Sequence, residues 1–401
     1  MPHFSNIFGS LVILLFSAGC ATLPRNPVPL DSQLSAYIPG MPYVRAMSGQ
    51  YSQAFEEDVF KTEQQYREFK GLSPTDELSV SMLVLSGGAD DGAFGAGLLT
   101  GWTHSGSRPE FVLVTGVSTG ALIAPFAFVG SEFDHVLKDT YTRVTADNVY
   151  RPRWISFLWK DAFLDTTPLA RLVERYVTQD LLDKVAESHQ QGRRLWIATT
   201  NLDADRLVIW NMGAIAQSHH SGALDLFRKV MLASSSIPGV FPPVMIEVEA
   251  DGQTYDEMHV DGGVKAQLFV NAEVLNLKAM RQKYSGSAST FRDIKRTLYV
   301  VRNAKVGPDP EQVERKLPEI TGKALTSLLN SMARSDIERI YQIAQEAPSV
   351  EFYWISLPVE YFPQSLKPFD PVKMRKIYEI GYDLGLSGDA WRKHPPGLGQ
   401  H

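Results

Sequence analysis

A serine between two glycines is the first feature of the chain that could do chemistry. Residues 116–120 read Gly-Val-Ser-Thr-Gly, after the apolar run 111–114 and before the helix-like run 121–124. Ser118 therefore falls on a turn from a strand to a helix. The flanking glycines allow a sharp turn that exposes its hydroxyl at a helix N-terminus, where the helix dipole favours a developing negative charge. The pattern predicts a nucleophile, although a glycine-rich turn without chemistry can have the same sequence.

A second glycine-rich turn lies earlier in the chain. Residues 86–92 read Ser-Gly-Gly-Ala-Asp-Asp-Gly, between the apolar run 80–85 and a helix-like stretch. Consecutive small residues before a helix present their N–H groups toward one point, which suits either a phosphate or the oxyanion of a tetrahedral intermediate. The loop lacks the lysine of a phosphate-binding loop, and Asp90 and Asp91 would repel a phosphate. We favour the oxyanion, while close packing of the helix explains part of the glycine content at Gly95 and Gly97.

The base that would accept the serine proton is less obvious. Histidine is the usual partner, but His394 and His401 lie in a polar tail, His219 and His220 in a polar stretch, and His104 in a predicted loop. An α/β-hydrolase triad would have to recruit a tail histidine, because its histidine comes last in the chain.

A carboxylate offers an alternative base. Asp261 ends the predicted strand 258–260 and is followed by Gly262 and Gly263, which let other backbone approach. An Asp-Gly-Gly sequence by itself is usually only a turn. His259 lies two residues before Asp261 on the same side of an extended strand, and we interpret it as structural.

The elements that must position these residues alternate along the chain. Short apolar runs followed by helical patterns are typical of a parallel sheet with crossover helices. The predicted strands are 80–85, 111–114, 195–199, 207–210, 245–248, 258–260, 297–301 and 350–355, and the predicted helices include 52–70 and 317–347. A closing helix has Asp370 as its N-cap and Pro371 at its first position. We interpret residues 43–392 as one α/β domain with its motifs within 80–270, and 393–401 as a polar tail.

Taken in order, these pieces resemble the patatin-like phospholipases. The shared features are a glycine-rich loop, a G-x-S-x-G turn soon after it, the small-residue and proline segment 233–243, and a later D-G-G. The resemblance implies a three-layer α/β/α fold with a mostly parallel sheet, and hydrolysis of acyl esters of phospholipids or related lipids. It implies a Ser-Asp dyad of Ser118 and Asp261, with no cofactor and no metal. The oxyanion hole carried over is Gly87, Gly88 and Ala89, and the motif glycines are Gly116, Gly120, Gly262 and Gly263.

The loop departs from the family at two positions. The family commonly has a third glycine and then Arg or Lys, whereas this chain has Ala89 and then Asp91. If the basic residue stabilises the loop or an anionic substrate, its replacement affects the rate and any preference for acidic phospholipids.

The expected reaction runs through an acyl-enzyme on Ser118, with Asp261 as the base. One alternative is an acyltransferase that uses the same dyad, and another is a non-catalytic envelope protein that keeps the fold to bind lipid. Apolar residues after the nucleophile could line an acyl pocket, although their periodicity favours a buried helix face: Leu122, Ile123, Pro125 and Phe126.

The N-terminus resembles a bacterial lipoprotein signal. The apolar stretch 7–16 is too short to span a bilayer, and small residues lead to Cys20, the single cysteine of the chain. We predict a signal peptide over 1–19, lipidation of Cys20 and a Pro-rich, poorly packed tether over 20–42, with the protein anchored in the cell envelope at the outer membrane, facing the periplasm. Ser17 stands where leucine is usual and residues 1–6 contain no Lys or Arg, so an ordinary signal peptide or an uncleaved anchor is the alternative.

Composition excludes several other classes. The chain has 401 residues, of which 44% are hydrophobic, and a formal net charge of -6, which gives no basic field for nucleic acid. A single cysteine excludes an intramolecular disulfide framework and a multi-cysteine metal site. The sequence leaves open the head group, the acyl position and the oligomeric state.

Overall fold

The computed structural model describes residues 23–152, 162–270, 294–308, 310–347, 349–363, 365 and 367–397. The predicted signal peptide, Cys20, the first residues of the tether and the end of the polar tail lie outside these ranges. Within them, no helix is both long enough and apolar enough to cross a membrane.

A twisted sheet forms the centre of the molecule. Its central strands pair in parallel in the order β6-β3-β2-β10-β11, and β7, β1, β9 and β8 extend it through antiparallel pairs. The strands are β1 Arg45–Met47, β2 Ser79–Leu85, β3 Phe111–Val117, β4 Arg151–Pro152, β5 Leu164–Asp165, β6 Arg194–Asn201, β7 Arg206–Asn211, β8 Val244–Ala250, β9 Gln253–Asp261, β10 Lys295–Arg302 and β11 Val350–Ser356, of which β4 and β5 form a separate ribbon.

Helices cover both faces of the sheet. They are α1 Gln53–Lys70, α2 Ala93–His104, α3 Thr119–Val129, α4 Asp134–Thr142, α5 Ala146–Val149, α6 Thr167–Tyr176, α7 Gln179–Gln190, α8 Met212–Gln217, α9 Ala223–Ser234, α10 Leu317–Glu346 and α11 Pro371–Ser387. One apolar core lies under α2, α3, α7, α9 and α11, and a second under α1 and α10. Helices therefore enclose a mostly parallel sheet, and the predicted α/β/α fold is confirmed.

The strands predicted from apolar runs all occur, with ends shifted by a few residues. The closing helix begins as expected, because the side chain of Asp370 accepts a hydrogen bond from the Val372 N–H at 2.8 Å. The extension of β9 back to Gln253 was beyond the sequence pattern, since only its last residues are consistently buried.

Glycines fix the contact between α2 and α11. A Cβ on Gly97 would lie 2.0 Å from the Tyr378 carbonyl oxygen, and one on Gly101 would lie 2.0 Å from that of Tyr382. On the other helix, Gly381 and Gly385 meet the backbone of α2 in the same way. The two helices pack backbone to backbone, so Gly97 and Gly101 pack against the C-terminal helix. Gly95 differs, because its Cβ would lie 2.3 Å from the Asn303 side-chain oxygen, directly after β10.

The segment after Leu23 packs more closely than the sequence suggests. The composition of residues 20–42 predicts a poorly packed tether, yet Val28, Ile38 and Met41 are buried in the core. Arg25 donates to Asp203 at 3.0 Å. Prolines keep this backbone extended, while the apolar residues between them anchor it on the domain. The domain boundaries stay a prediction.

Candidate active site

Ser118 lies on a strained turn between β3 and α3. Its φ of 56° and ψ of -125° are unusual for a residue with a side chain. Its N–H donates to the Ser234 hydroxyl at 3.0 Å, and its carbonyl oxygen accepts from the Ser235 hydroxyl at 3.2 Å. Strain of this kind costs about 1–3 kcal/mol and persists where surrounding contacts impose it. The contacts here come from the small-residue segment 233–243, so this segment stabilises the G-x-S-x-G turn.

The glycines of the turn allow a close approach of backbone. A Cβ on Gly116 would lie 2.5 Å from the Gly120 carbonyl oxygen, and one on Gly120 would lie 2.4 Å from that of Leu85. A side chain at Gly116 would displace the start of α3, and one at Gly120 would displace the end of β2, which carries the other loop. The G-x-S-x-G pattern is thus a packing requirement as well as a turn.

Asp261 reaches Ser118 because of the sheet register. β3 ends at Val117, which pairs with Ala198 of β6, and β9 pairs with β6 directly beyond that point, with Asp261 opposite Thr199. The ends of β3 and β9 therefore meet head to head. A Cβ on Gly262 would lie 2.5 Å from the Ala198 carbonyl oxygen, which explains the glycine after the aspartate.

The carboxyl group of Asp261 is buried and has an altered acidity. Burial raises its pKa to about 7, against hydrogen bonds from the Ser118 hydroxyl and the Gly263 N–H that favour the carboxylate. The Gly263 N–H donates to Oδ1 at 2.7 Å. A carboxyl group that titrates near neutrality and is bonded to a serine hydroxyl has the properties of a general base.

The predicted oxyanion loop lies beside Ser118. A Cβ on Gly87 would lie 3.1 Å from the Ser118 Cβ and 3.7 Å from its Oγ. Within the described ranges, the N–H groups of Gly87, Gly88 and Ala89 donate to no protein acceptor. Ala89 adopts a φ of 48°, in the left-handed region that a glycine would occupy without strain.

Arg302 donates hydrogen bonds to this loop. Its guanidinium donates to the Gly87 carbonyl oxygen at 2.8 Å and to the side chains of Ser86 and Gln267 at 3.2 Å each. Burial lowers the pKa of Arg302 to about 10, opposed by Asp91 and Asp336, so it remains a cation at neutral pH. Sequence reasoning missed this residue, because an arginine at the end of a strand carries no motif.

The acidic pair of the loop has a cationic partner from the other end of the chain. The Lys373 ammonium group, in the first turn of α11, lies 3.1 Å from Asp90 and 2.9 Å from Asp91. Burial opposes its charge, but Asp91 and Asp90 outweigh burial and raise the pKa of Lys373 to about 12. Burial also raises the pKa of Asp91. Asp91 stands where the resemblance leads us to expect a basic residue, and the positive charge near the loop comes from Lys373 and Arg302.

An apolar cavity opens at Ser118. Its volume is about 380 Å³, at the lower end of the range for small-molecule sites. Its polar lining includes Ser118, Asp90, Thr119, Thr140, Ser235 and Lys373. The rest is largely apolar: Leu122, Phe126, Leu169, Val173, Val177, Met231, Ile237, Phe241, Phe369 and Met374, among others.

The helix after the nucleophile has two roles. The periodicity favoured a core interpretation for its four apolar residues, and Ile123 and Pro125 are indeed buried without reaching the cavity. Leu122 and Phe126, one turn apart, line the cavity instead. A buried face and a cavity wall have the same periodicity, so sequence alone could not separate them.

His259 and His104 have hydrogen-bond partners other than Ser118 and Asp261. His259 is fully buried, with one ring nitrogen 2.8 Å from the Thr199 hydroxyl and the other 2.9 Å from Glu257. His104 ends α2, where a loop was expected, and contacts the Thr100 carbonyl oxygen at 2.9 Å. Among the described residues, no histidine bonds to Ser118 or Asp261, and no cluster of His, Cys, Asp and Glu could hold a metal ion.

Fold and site together describe an α/β protein whose hydrolase motifs meet at one end of a parallel sheet. The sequence profile described as patatin-like phospholipase matches residues 83–273. This segment, slightly less than half of the chain, is a patatin-like phospholipase domain, a domain type found in a family of lipid acyl hydrolases. The crystal structure of VipD from Legionella pneumophila is similar with a TM-score of 0.37 and 9% identity, over 80% of this chain and 69% of that one. No curated protein matches the sequence.

Proposed function

We propose that the protein hydrolyses carboxylic ester bonds of phospholipids or related lipids through a dyad of Ser118 and Asp261. The observation that carries this proposal is the meeting of three features: a strained serine, a buried carboxyl group bonded to it, and an apolar cavity that opens at the same serine. A polar reaction centre next to an apolar cavity suits a substrate whose ester group carries a hydrocarbon chain.

The mechanism needs only groups of this chain. Asp261, as the carboxylate, takes the proton of Ser118 while the serine oxygen attacks the ester carbonyl carbon. The N–H groups of Gly87, Gly88 and Ala89 stabilise the resulting oxyanion. The intermediate then expels the alcohol, which receives the proton from Asp261. Water, deprotonated by Asp261, attacks the acyl-enzyme and releases the fatty acid, which restores the serine hydroxyl.

The size of the cavity favours one acyl chain over a whole diacyl lipid. A cavity of about 380 Å³ is small for a ligand with two long chains and a head group. We therefore assign the cavity to the acyl chain that is transferred to Ser118, with the remainder of the lipid outside it.

The test is acyl release from short-chain esters and from phospholipid vesicles. The parent protein is compared with Ser118→Ala and Asp261→Ala proteins, whose folding is checked by circular dichroism. We expect both substitutions to abolish release. Equal acyl release by all three proteins would refute the dyad. Added lysolipid separates hydrolysis from acyl transfer, since a transferase would form diacyl lipid in place of free fatty acid. Lipid binding by the parent without release of any ester would instead favour the non-catalytic envelope role.

We also propose that Cys20 carries a lipid and that the protein is anchored in the cell envelope, at the outer membrane facing the periplasm. The position of the single cysteine after a short apolar stretch supports this assignment. Membrane fractionation of cells that express the parent or Cys20→Ser tests it, with mass spectrometry of the N-terminal peptide. Equal membrane retention of the two proteins would contradict a lipid anchor.

A further inference from the structure

Apolar side chains gather at the edge of the sheet where Ser118 lies, which we call the catalytic edge. Six of them form what we call the apolar rim: Leu317, Ile320, Leu325, Leu328, Phe362 and Val372. Leu317 is 79% exposed and Leu328 is 66% exposed. Phe362 is 65% exposed and Val372 is 63% exposed. Exposure of this extent at several large apolar residues on one edge is unusual for a surface that faces only water.

The first half of α10 extends beyond this edge. Arg302, at the carboxyl end of β10, donates to the Asn330 side chain at 3.0 Å and to the Gly87 carbonyl oxygen at 2.8 Å. Asn330 therefore marks the level of the oxyanion loop along α10. The buried residues of the helix all come later, from Ala333 to Ala344. The thirteen residues before Asn330 span about 20 Å, so this part of the helix projects past the catalytic edge.

The projecting half-helix carries little charge. Between residues 317 and 332 the charged residues are Glu319 and Lys323, and the others are apolar, small or polar without charge. Lys323 lies 3.3 Å from Glu311, which offsets its charge. A helix with so little charge and large exposed apolar residues suits a hydrocarbon boundary better than bulk water.

Two further elements bring the rest of the rim to the same edge. Phe362 follows β11, which ends at Ser356 on the carboxyl side of the sheet. Val372 lies in the first turn of α11, next to Lys373, whose ammonium group contacts the loop residue Asp90 at 3.1 Å. The rim thus lies on α10 in one layer, on α11 in the other and on the segment after β11, with Ser118 on the sheet between the layers.

The N-terminal segment joins the domain at this edge as well. Arg25 donates to Asp203 at 3.0 Å, and Asp203 lies two residues beyond the carboxyl end of β6. The described chain begins at Leu23, three residues after Cys20, and three residues reach at most about 11 Å. A lipid on Cys20 would therefore hold this same edge close to the bilayer.

We infer that the apolar rim docks on the surface of a lipid bilayer and lays the catalytic edge against it. This orientation places the opening at Ser118 where an acyl chain can pass from the bilayer into the cavity. The inference rests on the proposed function, since it identifies a lipid surface as the place where that site finds its substrate.

The test measures binding to vesicles of phosphatidylethanolamine and phosphatidylglycerol whose chains are ether-linked, so that no ester hydrolysis can occur. The full-length chain carries Cys20→Ser, which removes the predicted lipid. A rim variant, Leu317→Ser with Leu328→Ser, is compared with a matched control, Phe69→Ser with Leu386→Ser. The control residues are also exposed, by 46% and 45%, but they lie at the ends of α1 and α11 that face away from the catalytic edge.

We expect the rim variant to lose at least about tenfold in vesicle partitioning, because two leucines no longer leave water on binding. The control should stay within about twofold of the parent. Hydrolysis of a water-soluble short-chain ester should be retained by both variants, which shows that they are folded.

Equal partitioning of the rim variant and the parent would overturn the inference, and so would a parent that does not bind. Sedimentation velocity provides a second check. If the parent is a dimer that does not bind vesicles, and the rim variant is a monomer, the rim would instead be assigned to contact with a second copy of the chain. A fold lost in the rim variant would assign the rim to contacts within the chain. Partitioning requires no catalysis, so the docking inference can fail while Ser118 still hydrolyses esters, or hold when it does not.

Discussion

Replacement of Asp261 by asparagine should abolish activity and at the same time make the protein more stable above neutral pH. A pKa that rises from 3.8 to about 7 on folding means that the folded protein holds this proton more tightly than the unfolded chain does. The free energy of unfolding should therefore fall as pH rises from about 4 to about 7, by up to about 4 kcal/mol, and then level off. Asparagine removes this loss, so Asp261→Asn should match the parent near pH 4 and exceed its stability at pH 8.

The rate should follow the same titration in the opposite sense. Only the carboxylate can accept the proton of Ser118, so kcat/KM should rise about tenfold per pH unit up to about pH 7 and then stay level. At pH 5 the parent should retain about 1% of its plateau value.

Two assays check these expectations together. Urea unfolding of the parent and of Asp261→Asn at pH 5 and pH 8 gives the stability difference, and initial rates on a short-chain ester from pH 5 to pH 9 give the profile. Asp225→Asn is the control, because this carboxylate lies on the exposed side of α9 and pairs with Lys229 at 2.9 Å. A kcat/KM that stays flat from pH 5 to pH 8, or an asparagine variant less stable than the parent at pH 8, would refute the assignment of Asp261 as a buried base.

Four further outcomes are expected. Gly97→Ala should destabilise the protein by more than about 2 kcal/mol in urea unfolding, because its Cβ would meet backbone 2.0 Å away, whereas Gly322→Ala, with nothing within 4 Å, should stabilise by up to about 1 kcal/mol. Ala89→Gly should raise stability by up to about 1 kcal/mol by relieving the left-handed backbone, and its kcat should stay within about twofold of the parent value. Lys373→Met should lower stability by about 3 kcal/mol, because it leaves the buried Asp90 and the partly buried Asp91 without their cation; an unchanged urea midpoint would contradict this account. Val173→Phe should fill part of the cavity and reduce hydrolysis of long-chain esters by about tenfold, while short-chain esters are retained; equal loss on both would argue against the acyl-chain assignment.

The sequence predicted the sheet well, because the strands are apolar runs bounded by glycines and polar turns. It also predicted which loops carry the motifs, since each follows a strand directly. It could not predict that the ends of β9 and β3 meet. Both strands pair with β6, β3 up to Ala198 and β9 from Thr199 onward, and sequence patterns do not show which strands pair. The closeness of Asp261 to Ser118 was therefore available only from the family resemblance.

The supporting charges were harder to predict. Arg302 and Lys373 lie far along the chain from the loop they contact, at the end of a strand and at the start of a helix where lysine and arginine are common. Their roles depend on burial and on the partners that the fold supplies. The departure from the family pattern at Asp91 was visible in the sequence, but its ion pair with Lys373 was not. The cavity was hidden for a similar reason, because its lining alternates with true core positions on the same helices.

The contact between Lys373 and the oxyanion loop has a consequence for biosynthesis. The loop is made early in translation, but the cations that support it are Arg302 and Lys373, and α11 packs on α2 through glycines at both surfaces. A nascent chain therefore contains Ser118 and Asp261, the proposed nucleophile and base, before it contains the cations that contact the loop. A chain that stopped before α11 would leave Asp90 and Asp91 without Lys373, so we expect it to lack the loop conformation that the proposed hydrolysis requires.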